Sequence, residues 1–193
     1  DEAVYLVYAT LGLDYADPAA GQRRIGTAER DVLDTRLQKR LRDRIPVAYL
    51  VGEAWFGGRR FLADARALVP RSPMAELLID GEIPFLQTKP ARVLDLCCGG
   101  GCIGITAALE FAEAEVELAD LSAEALTLAQ ENIELHELGK RVTVLQGDLF
   151  EPISDAYELI LCNPPYVAAE EMAGAPQEYG HEPLMALVSD DEG

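Results

Sequence analysis

From Ala91 onward, short apolar runs alternate with helical stretches, and no other feature of the 193 residues limits the fold so tightly. Strands are expected over 91–97, 115–120, 141–146 and 157–162, and helices over 102–112 and 122–137. Strands joined by helices of this length build a parallel sheet with crossovers, so the expected class is doubly wound α/β. Ser122 is placed to cap the second helix, whose Ala125, Leu128, Ala129 and Ile133 form an apolar stripe for the sheet. Four strands are fewer than open sheets of this type usually carry. The sheet is therefore expected to be incomplete at its C-terminal end and the chain to be a piece of a longer protein, as a start at Asp1-Glu2 without Met also implies.

The first strand runs into the stretch Arg92-Val-Leu-Asp-Leu-Cys-Cys-Gly-Gly-Gly-Cys-Ile-Gly104. Gly99, Gly101 and Gly104 let the backbone turn tightly, so that amides at a helix N-terminus can face a ligand. Gly99 to Gly104 also matches the G-x-G-x-x-G pattern, which taken alone fits either a cofactor loop or a structural turn.

Upstream, an apolar run from Val4 to Leu13, a turn-rich gap at Asp17 to Gly21 and a helical stretch from Thr27 to Arg44 suggest a small helical domain over residues 1–45. Thr27 is a possible cap, Leu33, Leu37 and Leu41 repeat every four residues, and Arg36, Lys39, Arg40, Arg42 and Arg44 crowd the last turns, where cations suit the helix dipole. Residues 46–71 change to an aromatic, turn-like pattern in which Gly57-Gly58 separates Trp55-Phe56 from Phe61, as in a connecting hairpin, although these aromatics also fit a core. Ser72-Pro73 then opens a helix to about Asp80, at the start of a third unit, residues 72–193.

Residues 1–60 hold ten Lys and Arg against nine Asp and Glu, and the remainder holds six against twenty-five, within a net charge of −18. Such an acidic body repels a nucleic-acid backbone, so a protein or small-molecule substrate is expected and direct DNA binding is not. No run approaches the roughly eighteen apolar residues of a membrane span, which points to a soluble, cytoplasmic protein. Cys97, Cys98, Cys102 and Cys162 match neither a disulfide framework nor zinc spacing, and His136 and His181 stand far from them. No metal is expected.

Ligands of open parallel sheets sit beyond the carboxyl ends of the strands. The residues there are Cys97 to Gly101, Asp120, Gln146-Gly-Asp-Leu149 and Asn163-Pro-Pro-Tyr166. Asp120 ends the second strand, where a carboxylate can accept from both ribose hydroxyls, and Asp148 can accept from an adenine amino group. Asn163 brings a side-chain amide, backed by two prolines that cannot donate hydrogen bonds. A planar NH2 group can give one hydrogen to the Asn163 side-chain oxygen and one to the Pro164 carbonyl, with Tyr166 over its plane.

These residues, with Asp95-x-Cys-x-Gly-x-Gly101, resemble the class I methyltransferases that use S-adenosyl-L-methionine. The chain is most similar to the HemK/PrmC/PrmB family, which methylates glutamine side-chain amides in translation proteins. Arg44-Ile-Pro-Val-Ala-Tyr-Leu50, Leu68-Val-Pro-Arg-Ser-Pro73 and His181-Glu-Pro-Leu184 also resemble segments of that family. Pro70-Arg-Ser-Pro-Met-Ala-Glu76 and Cys97 depart from the release-factor branch and favour the branch that modifies a large-subunit ribosomal protein, uL3. The resemblance implies a Rossmann-like sheet and S-adenosyl-L-methionine held by Asp95, Cys97, Cys98, Gly99, Gly101, Asp120, Asp148, Leu149 and Asn163. It implies catalysis by Asn163, Pro164, Pro165 and Tyr166, with release factor as the alternative protein partner. An adenine-N6 nucleic-acid methyltransferase would use the same grip on a flipped base. A nicotinamide-dependent oxidoreductase using Gly99 to Gly104 with Asp120 on ribose leaves Asn163 to Tyr166 unexplained, and a non-catalytic ribosome-binding module using the basic helix would be excluded as a full account by measurable turnover.

Overall fold

The computed structural model describes residues 2–81, 83–172 and 174–189. Asp1, where the first unit was expected to begin, and 190–193, where the last was expected to end, lie outside the described residues. Helix α1 (Glu2–Leu11) packs on α2 (Thr27–Gln38), which widens into a π turn at Lys39–Asp43 and stops where Arg44 takes a left-handed φ of 59°. Gly26, not Thr27, is the cap residue. Having no side chain, it leaves only the reciprocal bond, its own N–H donated to Glu29 Oε2 at 2.9 Å.

The short helix α3 (Val47–Val51) leads into a hairpin of β1 (Glu53–Phe56) and β2 (Arg59–Leu62). Its turn is Gly57-Gly58, with φ of 56° and 71°, the pair of positive values that matches the twist of two-residue hairpins. Strand alternation sends Ala54, Phe56 and Phe61 inward and leaves Trp55 half exposed, so two of the three aromatics are core and the third is not. Helix α4 (Met74–Asp80) begins one residue later than expected: Pro73 is its cap residue, and Ser72 Oγ accepts from the Met74 amide at 3.3 Å.

The sheet follows the expected alternation: β3 (Arg92–Leu96), α5 (Cys102–Glu110), β4 (Glu115–Asp120), α6 (Ala123–Leu135), β5 (Val142–Gln146) and β6 (Leu159–Cys162). All four strands are parallel, in the order β5-β4-β3-β6. Ser122 caps α6, its Oγ accepting from Ala125 N–H at 3.2 Å. Val93, Val116, Leu118 and Leu161 face α4, α5, α6 and the hairpin in the main core. On the opposite face, Leu94, Leu96 and Ala119 pack with Ile153 and Tyr157 from the stretch between β5 and β6. Beyond β6 a two-strand ladder joins β7 (Val167–Ala168) to β8 (Val188–Ser189), with the one-turn helix α7 (Ala169–Met172) and two 3-10 turns, Gln177–His181 and Leu184–Ala186, between them. Among the described residues, no helix is long and apolar enough to cross a membrane.

Candidate active site

The order of the strands places the site. After β4 and β5 have been added on one side of β3, the chain crosses back to lay β6 on the other, so the loops leaving β3 and β6 diverge around a crevice. Leu96 and Cys162 are register partners, and the residues following them, Cys97 and Asn163, therefore start at neighbouring points on the sheet edge.

The β3 loop is shaped by carboxylates. Gly101, at φ 79°, is the cap residue of α5 and has no side chain to offer the first-turn amides. Asp95 substitutes for it from the strand below, its Oδ2 accepting from the Gly104 amide at 2.7 Å. That approach requires glycine, because a Cβ on Gly104 would fall 2.2 Å from Leu118 Cδ2 and 2.8 Å from Asp95 Cβ. Asp120 holds the outer part of the loop, with Oδ2 accepting from Gly99 N–H at 2.8 Å and Oδ1 from Ser122 N–H at 2.9 Å. Asn132 of α6 ties the loop to the hairpin: its Oδ1 accepts from Leu62 N–H at 2.7 Å, and its Nδ2 donates to the Gly100 carbonyl at 2.9 Å and the Leu62 carbonyl at 3.2 Å.

One cavity of about 480 Å³ opens between these loops. It is lined by Cys97, Cys98 and Gly99 after β3, Asp120 after β4, Asp148 and Leu149 after β5, and Asn163, Pro164 and Pro165 after β6. Three of the expected site residues do not line it. Asp95 is fully buried behind the loop, Gly101 faces Leu118 and Ala129, and Tyr166 is 69% exposed outside the cavity. Asp148 is exposed at the mouth, and Leu149 takes a left-handed φ of 46°.

Burial pushes the Asp95 carboxyl up to about 7, against the lowering effect of the Gly104 amide bond, and the nearby Asp120 charge adds to the rise. Burial likewise pushes Cys97 up to about 12 and raises Cys98, Cys102 and Cys162, so all four thiols are held protonated. Of the four, Cys98 is buried and Cys97, Cys102 and Cys162 are partly exposed.

The residue order pointed to the strand ends but not to the opposite wall of the cavity, which comes from Arg66, Ala67, Val69, Pro70 and Arg71 of the linker, from Leu128 and Asn132 of α6, and from Met185. Asn132 did leave a trace: it is a lone amide on the apolar stripe of Ala125, Leu128, Ala129 and Ile133. Arg66 gave no comparable sign; it is fixed at the rim by Glu131 in a two-pronged pair at 2.7 Å and by Asp64 at 2.8 Å.

The cavity has features that suit a nucleoside carrying a sulfonium. Its volume is of ligand size, and the glycines keep Cβ atoms off its floor, where one on Gly100 would lie 3.3 Å from Leu128 Cδ2. Asp120 retains a free lone pair on each oxygen for ribose hydroxyls. The Asn163 side chain makes no hydrogen bond to any described residue, so its oxygen is available to a ligand.

Known proteins resemble this chain in sequence and in fold. A ribosomal protein uL3 glutamine methyltransferase of Bordetella pertussis is 46% identical over the whole chain, and one of Burkholderia pseudomallei is 42% identical, again over the whole chain. The chain spans 66% of the length of each. Among solved structures, the hMettl16 catalytic domain in complex with a MAT2A 3′UTR hairpin shares the fold, with a TM-score of 0.55 at 15% identity over 98% of this chain and 67% of that one. The model of the methyltransferase small domain matches residues 77–178, from α4 past the Asn163 loop and across every strand of the sheet, and the chain belongs to that family.

Proposed function

We propose that this chain transfers a methyl group from S-adenosyl-L-methionine to the side-chain amide nitrogen of a glutamine in ribosomal protein uL3. The observation that carries the reading is the single cavity shared by the glycine turn and the Asn163-Pro-Pro loop. The name of the two relatives supports uL3 as the acceptor. A ribosomal acceptor in turn supports a cytoplasmic place of action. On this reading residues 72–193 form the catalytic unit, 1–45 contribute to recognition and 46–71 connect the two.

S-adenosyl-L-methionine supplies an electrophilic methyl group when bound. Gly99, Asp120 and Leu149 would hold its nucleoside and Asn163 the far end of the cavity. A glutamine amide nitrogen is a weak nucleophile because its lone pair is delocalised into the carbonyl, so orientation has to do most of the work. The Asn163 oxygen and the Pro164 carbonyl each accept one N–H of the incoming amide, which fixes its plane and directs its nitrogen toward the cofactor side. Positioning of this kind can lower a barrier by several kcal/mol. No strong base is required, since the methylated nitrogen sheds its proton to water. Tyr166 stands outside the cavity, and its part is to cover the acceptor from the rim.

The test is mass spectrometry of ribosomal proteins and release factors after incubation with protein and cofactor. One added methyl on a uL3 glutamine is the expected result; a methyl on a release factor instead would reassign the acceptor, and none on either would overturn the reading. Asn163→Ala is expected to reduce transfer by about a thousandfold, a loss of positioning, with cofactor affinity much less changed in calorimetry.

A further inference from the structure

His181-Glu-Pro-Leu184 has no part in the reaction as written, yet it carries a buried acid. The Glu182 side chain is 1% exposed, and with Asp95 it makes the two buried carboxylates among the described residues. Its Oε2 accepts from Val69 N–H at 2.9 Å and its Oε1 from Arg71 Nη1 at 2.7 Å, while the Arg71 guanidinium lies 4.7 Å from the centre of the Tyr179 ring. Val69 and Arg71 line the 480 Å³ cavity and also a second one of about 580 Å³ beneath the N-terminal helices, so Glu182 is anchored to the partition between the two.

Two sets of contacts meet at this point. Toward the helices, Glu178 pairs with Arg40 and Arg44 at 2.9 Å each, and His181 Nε2 lies 2.6 Å from the Asp43 carbonyl. Toward the cavity, Pro183, Met185, Ala186 and Val188 form its wall, and β8 pairs with β7 directly after the Asn163 loop. Residues 177–186 form only 3-10 turns, with the backbone ladder to β7 starting where the Leu187 carbonyl accepts from Val167 N–H at 3.0 Å, so their position depends largely on side-chain anchors. A carboxylate taken out of water is costly unless it is paired and fully hydrogen-bonded, and Glu182 has both kinds of partner.

We infer that Glu182 is a positioning residue that clamps the 183–189 segment to the linker and so sets the shape of the cavity wall that β8 joins to β7, directly after the Asn163 loop. The inference rests on the methyl-transfer reading and deepens it by assigning what holds that wall. Glu182→Gln keeps the length and an acceptor for the Val69 amide but removes the charge opposite Arg71; Glu182→Asp keeps the charge.

Three measurements on each variant test this: cofactor Kd by calorimetry, kcat and KM for uL3, and hydrogen exchange at the Ala186 and Leu187 amides, which donate to Pro183 and Leu184. For Glu182→Gln the expected result is a KM for uL3 raised about tenfold, the scale of losing one charged partner whose mate is partly exposed. Cofactor Kd should stay within about twofold and exchange at the two amides should quicken, with Glu182→Asp recovering part of both. Unchanged KM with unchanged exchange would overturn the clamp, as would a loss of kcat that merely follows the folded fraction. If the wild-type protein methylates nothing, the methyl-transfer reading fails by itself, and exchange in Glu182→Gln still decides whether the clamp exists.

Discussion

Asp95 is fully buried with one carboxylate oxygen on the Gly104 amide and the other without a partner. An ionised form there is costly, so its carboxyl is raised to about 7 while the unfolded chain titrates near the ordinary carboxylate value. Between about pH 4 and 7 the folded state therefore binds more protons than the unfolded one, and this group's contribution to stability falls as pH rises through that window and levels off above it. Asp95→Asn, which can still accept from Gly104, is expected to flatten the fall in melting temperature between pH 5 and 7.5 relative to wild type; an unchanged slope would assign the pH dependence elsewhere. His136 acts in the opposite sense. Burial lowers its pKa, so its protonation as pH falls below the unfolded value opposes folding. Cys97 shows a different kind of cost, a left-handed φ of 58° on a residue with a Cβ, which is of order 1 kcal/mol.

Among the elements, α6 joins the most parts of the site, because Asn132 is shared by the hairpin and the glycine turn. Asn132→Leu would leave the Leu62 amide and the Gly100 carbonyl unpaired in a closed environment. The expected loss is about 2–6 kcal/mol in urea unfolding, together with weaker cofactor binding, as two groups at about 1–3 kcal/mol each would give. The strands of the sheet were legible because each is a short apolar run bounded by turn residues, and both long sheet helices because one face is continuous and Ser122 marks a start. The N-terminal unit was legible as helices but not in its packing. Leu33, Leu37 and Leu41 repeat every four residues, yet Leu37 and Leu41 are 41% and 59% exposed. The face turned to α1 is instead polar, with Arg36 donating to Thr10 at 2.8 Å and Arg40 pairing with Glu2 at 3.0 Å, and the π turn alters the register after Gln38. The far wall of the cavity escaped the sequence for a related reason: it is assembled from a linker and a post-motif loop, where no periodicity operates.

For the molecule as a whole, the unequal charge sets the range of partners. The basic residues of the first unit are already engaged in part, Arg40 and Arg44 by Glu178, and residues 61–193 carry six Lys and Arg against twenty-five Asp and Glu. Filter binding to duplex DNA at low salt is expected to show no retention at micromolar protein, because non-specific affinity is built from phosphate-neutralising cations; tight retention would favour an adenine-directed enzyme. The order β5-β4-β3-β6 has a further result for biogenesis. A ribosome making this chain releases the bend after β3 well before the Asn163 loop, since β4, β5 and β6 must be synthesised first. Gly99, Asp120 and Leu149, the residues placed for the nucleoside, thus all exist in a nascent chain that has no means yet of grasping a target.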